Sequence, residues 1–364
     1  MYQEDDLVRI AKRDNNKKRS YLVVNRLQGK HIPVKPKEAF SLFNELAQKV
    51  KAAYEGDKVL VIGFAETATA IGSAVAMELG AMYMQTTREN IPGAEYLFFS
   101  EEHSHASSQK LVKNDLDKVI GEVDRIIFVE DEITTGKTIL NLIRVLETAY
   151  GACVKYAIAS LLNGMDQQAS SLYEEKKISI HYLLKTEHEK YTEIAERFSE
   201  DGTYVPCCQK KVGVPEFTAE LGVNPRRLIS IEQYREACRR LWEQVDTVLP
   251  HKLIGRVLVL GTEEFMYPAL YVAGQLEQKG LQVLCHSTTR SPIAASSSAE
   301  YPFHTRYELR SLYDPQRVTY LYDLEAYDQV IIITDADTSS AEGLYTLVNA
   351  VRLKSEDVVL IRWE

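Results

Sequence analysis

The sequence has few cysteines, no long apolar run and no surplus of positive charge. Its five cysteines stand at irregular positions, and an odd number of them favours reduced thiols over a disulfide framework or a zinc cluster. No apolar run approaches the length that spans a membrane. The net charge of −9 argues against a general nucleic-acid or anionic-membrane surface, because clustered lysine and arginine hold phosphate backbones. We therefore expect neither a membrane nor a nucleic-acid partner.

The first six residues include three acids and no base, whereas a secretory signal peptide begins with positive charge. This favours a cytoplasmic protein. A chain of 364 residues, of which 45% are hydrophobic, is long enough to form two packed cores. The composition thus predicts an ordinary globular protein of two domains.

Residues 126–138 form the most restrictive segment of the chain. An apolar strand there meets two carboxylates, Glu130 and Asp131, and a hydroxyl-rich turn then opens a helix. Amides at the start of a helix have no partner within it, so they and the helix dipole favour a phosphate. Ionised carboxylates are acceptors suited to a diol, which predicts a sugar-phosphate site. The turn residues are Thr134, Thr135, Gly136, Lys137 and Thr138.

Two other interpretations of this segment are weaker. The Gly136-Lys137-Thr138 triplet also occurs in nucleotide-binding P-loops, but Asp131 stands where that motif needs its first glycine. A carboxylate there would oppose the nucleotide phosphates. An ordinary capped helix after an acidic strand end would need one capping residue rather than this whole set.

The strand, the paired acids and the Thr-Thr-Gly-x-Thr turn resemble the fingerprint of the type I phosphoribosyltransferases. The resemblance implies a site for 5-phosphoribosyl 1-diphosphate (PRPP), with Glu130 and Asp131 on the ribose hydroxyls and residues 134–138 around the 5-phosphate. It implies transfer of phosphoribosyl to a nitrogen of a nucleobase-like acceptor, with release of diphosphate. Mg²⁺ would arrive with the diphosphate, with Asp131 as an available ligand and no dedicated metal site.

Alternating strands and helices predict an α/β fold with a parallel sheet, as in the Rossmann-like domain of that family. Ligands of such sheets bind outside the carboxyl ends of the strands. The predicted strand ends at Gly63, Arg88 and Glu130 should therefore converge on one pocket.

The loop formed by Ala65, Glu66 and Thr67 takes the place of the family's diphosphate loop. Glu66 departs from the pattern because its charge would repel diphosphate. It could point away, bind magnesium or contact the acceptor, or it could be an ordinary acid at a helix start. Arg88 offers a planar fork of donors to the leaving diphosphate, with a surface arginine as the alternative.

A long polar segment, residues 89–115, carries His103 and His105. We expect this segment to close over the reactants, where the histidines could donate to diphosphate or move a proton at the acceptor. Solvated loop histidines are the alternative, and a metal site there lacks an evident third ligand. The fingerprint does not identify the acceptor. Candidates for its recognition are Lys30, His31 and residues 162–164.

The second half of the chain repeats features of the first. Three elements recur in the same order: residues 58–63 at 256–261, 86–88 at 288–290, and the fingerprint at 331–340. Thr334 replaces one acid and Ser340 stands where the glycine would be. We therefore expect a second α/β domain that is a degenerate duplicate, and these replacements argue against PRPP binding there.

Residues 289–292, Thr-Arg-Ser-Pro, resemble the signature of the TRSP domain. That domain follows an orotate-type phosphoribosyltransferase domain in proteins associated with bacterial tellurite-resistance gene clusters. The resemblance implies nucleotide or nucleoside-like metabolite synthesis linked to stress resistance, and it allows a homodimer. A PRPP- or nucleotide-binding regulator without turnover is the alternative. Candidate polar site residues of the second domain are Glu263, Glu264, Arg290, His304 and Arg306.

The pattern along the chain predicts a phosphoribosyltransferase domain at 1–200 and a TRSP-type domain at 251–364. Glycines and prolines between about 204 and 225 mark the region that joins them. We predict a linker and a connecting helix at 201–250.

Overall fold

The computed structural model describes residues 2–14, 19–100, 109–249 and 255–364. The chain divides into two compact units, each made of separate stretches of sequence. The first unit holds Tyr2, Phe40–Glu187 and Val223–Glu236. The second unit holds Gln3–Ala39, His188–Gly222 and Ala237–Glu364. Among the described residues, no helix is both long enough and apolar enough to cross a membrane.

This division differs from the predicted succession of 1–200, 201–250 and 251–364, because long-range backbone pairing assigns the N-terminal residues to the second unit. Val34 and Cys285 exchange both of their backbone hydrogen bonds, at 2.9 and 2.8 Å. No local pattern in the sequence encodes such a pairing.

The predicted linker is not a separate segment either. Ile229 pairs with Tyr83, and the guanidinium of Arg227 donates to both carboxylate oxygens of Asp115, which places residues 223–236 in the first unit. The predicted connecting helix is present, and it starts at Ile231.

The strands, in chain order, are β1 Val8–Lys12, β2 Tyr21–Asn25, β3 Val59–Gly63, β4 Met82–Gln85, β5 Tyr96–Phe99, β6 Gln109–Val112, β7 Arg125–Ile133, β8 Lys155–Asn163, β9 Ser179–Lys185, β10 Thr203–Val205, β11 Glu216–Ala219, β12 Arg256–Gly261, β13 Gln282–Ser287, β14 Thr305–Arg310, β15 Val318–Tyr322, β16 Gln329–Thr334 and β17 Val358–Trp363.

The helices are α1 Glu4–Leu7, α2 Pro36–Ala53, α3 Thr69–Leu79, α4 Lys113–Leu116, α5 Lys137–Tyr150, α6 Gln167–Glu175, α7 Tyr191–Glu196, α8 Ile231–Val248, α9 Tyr267–Gln278 and α10 Ala341–Arg352, with one 3₁₀ turn at Thr338–Ser340.

The first unit is built on a five-stranded sheet in the order β4-β3-β7-β8-β9, with every neighbouring pair parallel. Leu60, Ile62 and Phe128 in its central strands are fully buried, as expected for a sheet covered on both faces. An antiparallel hairpin of β5 and β6 accompanies the sheet. The predicted α/β class is confirmed.

The second unit contains a five-stranded parallel sheet in the order β11-β17-β16-β12-β13. A three-stranded sheet of β10, β14 and β15 and a two-stranded sheet of β1 and β2 belong to the same unit. β2 pairs with β1 in the second unit rather than extending the first sheet.

The two large sheets share one arrangement. The order β4-β3-β7-β8 in the first unit corresponds to β13-β12-β16-β17 in the second. The Thr86 amide donates to the Gly63 carbonyl at 3.0 Å, and the Thr288 amide donates to the Gly261 carbonyl at 3.1 Å. The next residue of each unit bridges to an antiparallel hairpin, β5–β6 or β14–β15. These matched hydrogen bonds agree with the predicted duplication.

Candidate functional site

The carboxyl ends of β3, β4 and β7 meet at one edge of the first sheet because these strands are parallel neighbours. β7 continues through Glu130 and Asp131 to Ile133, paired with β8 as far as Asn163. The acids therefore lie inside the last part of a strand, where the sequence had placed them at its end. Pairing with β8 fixes their backbone.

Asp131 is an acid of this edge whose pKa is raised. It is only partly exposed, and burial of its carboxyl raises its pKa to about 6. The negative charge of Glu132 adds to the increase, whereas the hydroxyl of Thr67, which donates to Asp131 Oδ1 at 2.7 Å, opposes it. This hydrogen bond joins the acid pair on β7 to the loop after β3.

The loop after β3 is held by buried polar side chains. The Ala65 amide donates to Thr86 Oγ1 at 2.9 Å, and the Gln109 side-chain amide donates to the Ala65 carbonyl at 2.7 Å. Thr86 also donates to Gln109. The peptide bond between Ala65 and Glu66 is cis. The loop, β4 and β6 are thus fixed to one another around Ala65.

Gln109 is a residue that the sequence analysis missed. It is buried at the start of the four-residue strand β6. A polar side chain in a strand was the signal by which the sequence could have identified it. Its partner Thr86 belongs to the motif that the sequence analysis did single out.

The turn after β7 contains the residues predicted to hold the phosphate. Gly136 has a φ of +69°, and α5 begins directly after it without a side-chain cap. A Cβ at Gly136 would lie 2.5 Å from the ring of Tyr173, whose hydroxyl donates to the Gly136 carbonyl at 2.6 Å. Burial raises the pKa of Tyr173, and the charge of Glu130 contributes to the increase. Sequence reasoning gave no sign of Tyr173.

Arg88 lies half-buried two residues beyond Thr86, at the same edge of the sheet. Thr135 accepts a hydrogen bond from the Lys137 amide at 3.3 Å, while Thr134 and Thr138 are partly exposed. The structure thus brings the predicted loop, Arg88, the acids and the turn together in the first unit. His103 and His105 lie outside the described residues.

The candidates for acceptor recognition are divided between the units. Asn163 is buried at the end of β8, where its Oδ1 accepts the Met165 amide at 2.9 Å. Lys30 and His31, in contrast, belong to the second unit. Lys30 is fully buried, and its Nζ donates to the Glu263 and Thr288 carbonyls at 2.7 and 2.9 Å. The role of Lys30 and His31 in acceptor recognition stays a prediction.

Three of the second unit's predicted site residues form one buried cluster. Glu263 Oε2 accepts Arg290 Nε at 2.6 Å and Arg317 Nη1 at 2.9 Å, and Glu264 Oε1 accepts Arg290 Nη2 at 3.1 Å. Ser311 Oγ donates to Glu263 Oε1 at 2.5 Å. Carboxylates and guanidinium groups therefore pair with one another here.

His304 and Arg306 have different partners. His304 Nδ1 lies 2.9 Å from the Ser296 carbonyl. Arg306 pairs with Asp14 at 2.9 Å, and its guanidinium lies over the rings of Tyr204 and Tyr320 at 4.7 and 5.1 Å. These contacts indicate a packing role.

Residues 7–188 match a family described as phosphoribosyl transferase, and residues 218–351 match the TRSP domain described as C-terminal to it. A comparison with curated proteins found no match.

Similar solved structures include adenine phosphoribosyltransferase from Rhodothermus marinus, at 17% identity over 50% of this chain and 96% of that one, with a TM-score of 0.37. The enzyme from Thermoanaerobacter pseudethanolicus is 21% identical over 50% of this chain and 96% of that one, at a TM-score of 0.36. The enzyme from Trypanosoma brucei, in complex with AMP, pyrophosphate and ribose-5-phosphate, is 14% identical over 49% of this chain and 76% of that one. Its TM-score is also 0.36.

Proposed function

The chain belongs to the phosphoribosyl transferase family and is an enzyme of that class, and from this premise we propose that the edge formed by β3, β4 and β7 binds PRPP. The enzyme transfers the phosphoribosyl group to a nitrogen of a nucleobase-like acceptor and releases diphosphate. The hydrogen bond of 2.7 Å between Thr67 and Asp131 carries the proposal, because it joins the diphosphate loop to the ribose acids in one site.

The 5-phosphate is assigned to the turn of residues 134–138. Gly136 places no side chain over the start of α5, and the helix begins there without a side-chain cap. The first amides of a helix, with its dipole, favour an anion. The hydroxyls of Thr134, Thr135 and Thr138 and the charge of Lys137 supply further donors.

The ribose hydroxyls are assigned to Glu130 and Asp131. An ionised carboxylate accepts hydrogen bonds from a diol and stabilises positive charge that develops on the sugar ring. Burial disfavours the charged form of Asp131, and its pKa is raised to about 6. Binding that supplies donors or a cation to this carboxyl should therefore release a proton in weakly acidic solution.

The diphosphate is assigned to Ala65, Glu66 and Thr67 together with Arg88. The guanidinium of Arg88 would stabilise the leaving group as the anomeric bond breaks. His103 and His105 remain the proposed groups of a closing segment. Glu66 brings a negative charge to this loop, and it is the observation that favours the second candidate function, a PRPP- or nucleotide-binding regulator without turnover.

Magnesium fits the residues present. The described residues include no group of three or more His, Cys, Asp or Glu side chains that could hold a metal by themselves. Mg²⁺ keeps several waters and substrate oxygens, so one or two carboxylates suffice. Asp131, whose pKa burial and Glu132 raise, is a carboxylate that a divalent cation would stabilise in its ionised form. Bound magnesium would neutralise charge on the diphosphate oxygens.

For this chain, whose residues 218–351 match the TRSP domain, we propose a role in nucleotide or nucleoside-like metabolite synthesis linked to stress resistance, as the resemblance to proteins of tellurite-resistance clusters implies. The orotate-type character, a cytoplasmic location and a homodimer belong to the same proposal.

Incubation of the full chain with PRPP, Mg²⁺ and a panel of purine, pyrimidine and pyridine acceptors tests the function. We expect diphosphate release with at least one acceptor. Binding of PRPP without release for any acceptor would establish the regulator instead. Absence of PRPP binding would contradict both functions.

A further inference from the structure

The loop after β12 in the second unit has the same backbone support as the loop after β3 in the first. The Glu263 amide donates to Thr288 Oγ1 at 3.0 Å, just as the Ala65 amide donates to Thr86 Oγ1 at 2.9 Å. Glu263 therefore occupies the position of Ala65. A methyl group in one unit is replaced by a carboxylate in the other.

The Glu263 carboxylate is held in the way that a bound oxyanion would be held. Two guanidinium groups, of Arg290 and Arg317, donate to its Oε2, and the hydroxyl of Ser311 donates to its Oε1. The side chain is 1% exposed. Arginine forks bind carboxylate and phosphate oxygens by the same geometry, so this donor set is not specific to a carboxylate.

The surrounding charges also fit an anion. Lys30 lies fully buried beside the loop, where its ammonium donates to the carbonyls of Glu263 and Thr288. Three cationic groups thus converge on the segment around Glu263, while Glu264 accepts from Nη2 of Arg290. Without Glu263, the cluster would hold more positive than negative charge and would favour an external anion.

The turn before α10 is satisfied from within the chain as well. The Asp337 carboxylate accepts the Ser339 amide at 2.9 Å, whereas in the corresponding turn of the first unit it is the neutral hydroxyl of Thr135 that accepts an amide, that of Lys137, at 3.3 Å. Both places that would face phosphate groups in the first unit therefore face the chain's own carboxylates in the second.

We propose that Glu263 is a built-in substitute for a bound oxyanion: the second unit carries an anion site of the phosphate or diphosphate class that the chain itself fills. The intact protein then binds a single PRPP, in the first unit. That number rests on the proposed function, whereas the filled site of the second unit does not. Removal of the Glu263 carboxylate opens a second oxyanion site.

Calorimetric titration of the full chain with inorganic diphosphate tests the proposal by counting sites. We expect Glu263→Ala to bind one diphosphate more per chain than the wild type, and its melting temperature to rise with diphosphate by more than that of the wild type. The double variant Glu263→Ala/Arg290→Met is the matched control, and it should lose the extra site because one guanidinium is gone. If the alanine variant does not fold, Glu263→Gly, which suits the φ of +47° at this position, empties the same space and supports the same count.

The count separates this proposal from the proposed function. A wild type that binds no diphosphate, together with a variant that binds one, would refute the assigned site of the first unit and still support the filled site of the second. A folded Glu263 variant with the same number of sites as the wild type would overturn the inference. A wild type that binds two diphosphates would overturn it as well, and that measurement needs no variant.

Discussion

The two units place different side chains on the same backbone scaffold. In the first unit, Ala65 and Gly136 present a methyl group and no side chain at the two places assigned to phosphates. In the second unit, Glu263 occupies the first place, and Asp337 caps the turn at the second. The comparison shows that this scaffold either exposes its anion-binding groups or satisfies them internally, according to very few residues. The arginine, glycine and aspartate substitutions below each change a residue in one unit and its counterpart in the other, and the last prediction concerns Asp131 alone.

Replacement of Arg290 should have the largest effect, and that effect should be on stability. Arg290→Met leaves the buried carboxylates Glu263 and Glu264 without a guanidinium that they share, which should cost about 3–5 kcal/mol. Arg88→Met should cost less, about 1 kcal/mol, since Arg88 is half-buried. Urea unfolding of both variants checks this.

The same pair should respond in the opposite order when catalysis is measured. Arg88→Met should lower the rate of diphosphate release, whereas folded Arg290→Met should bind PRPP as the wild type does. The reverse result, with Arg290 needed for PRPP binding and dispensable for stability, would contradict the contrast between the units.

Gly136→Ala should have the next largest effect. A left-handed φ of +69° and a Cβ placed 2.5 Å from Tyr173 both oppose any side chain there. The strain of about 1–2 kcal/mol and the crowding of about 1–3 kcal/mol should lower stability and weaken PRPP binding together. Ser340→Ala is the matched change, and it should leave PRPP binding unaltered. Thermal unfolding and calorimetry report the two effects.

Asp131→Asn should weaken PRPP binding by about 10- to 100-fold, because a hydrogen bond to a charged group is worth about 1.5–3 kcal/mol. Stability at pH 7 should stay the same or rise, since burial disfavours the ionised carboxyl in the folded state. Asp335→Asn is the counterpart, and it replaces the charged oxygen that accepts from the Tyr313 hydroxyl at 2.6 Å by a neutral amide oxygen, which weakens that hydrogen bond. It should cost a little stability and leave PRPP affinity unchanged. A large loss of stability in Asp131→Asn would make that acid structural.

Local patterns in the sequence predicted much of this molecule. Hydrophobic periodicity gave the parallel sheet, and the fingerprint gave the turn at Gly136 with its helix. The repeat of residues 58–63 at 256–261 gave the second α/β unit, because strands and turns are encoded by neighbours in sequence.

What the sequence did not predict depends on distant contacts. Lys30 is buried against Glu263, Gln109 against Ala65, and Tyr173 against Gly136, each across a long stretch of chain. The interleaving of the units rests on similar pairings, such as Tyr83 with Ile229. No periodicity marks the partner of such a residue, so only the folded structure identifies it.

The smallest expected effect is a pH dependence that belongs to the first unit. Burial raises the pKa of Asp131 to about 6, so the carboxyl is mostly protonated at pH 5 and mostly ionised at pH 7. PRPP affinity should therefore fall about tenfold over that range as pH is lowered, since one proton must be displaced. The folded state should also lose some stability as pH rises from about 4 to 6, because it holds this proton more tightly than the unfolded chain.

A phosphate monoester also titrates at about pH 6, so the substrate contributes its own pH dependence. Asp131→Asn keeps the titration of the substrate and removes that of the carboxyl. The difference between the affinity profiles of wild type and variant isolates Asp131. Parallel profiles would show that this acid does not need its charge to bind PRPP, and the assignment of the ribose to β7 would then fall on Glu130 alone.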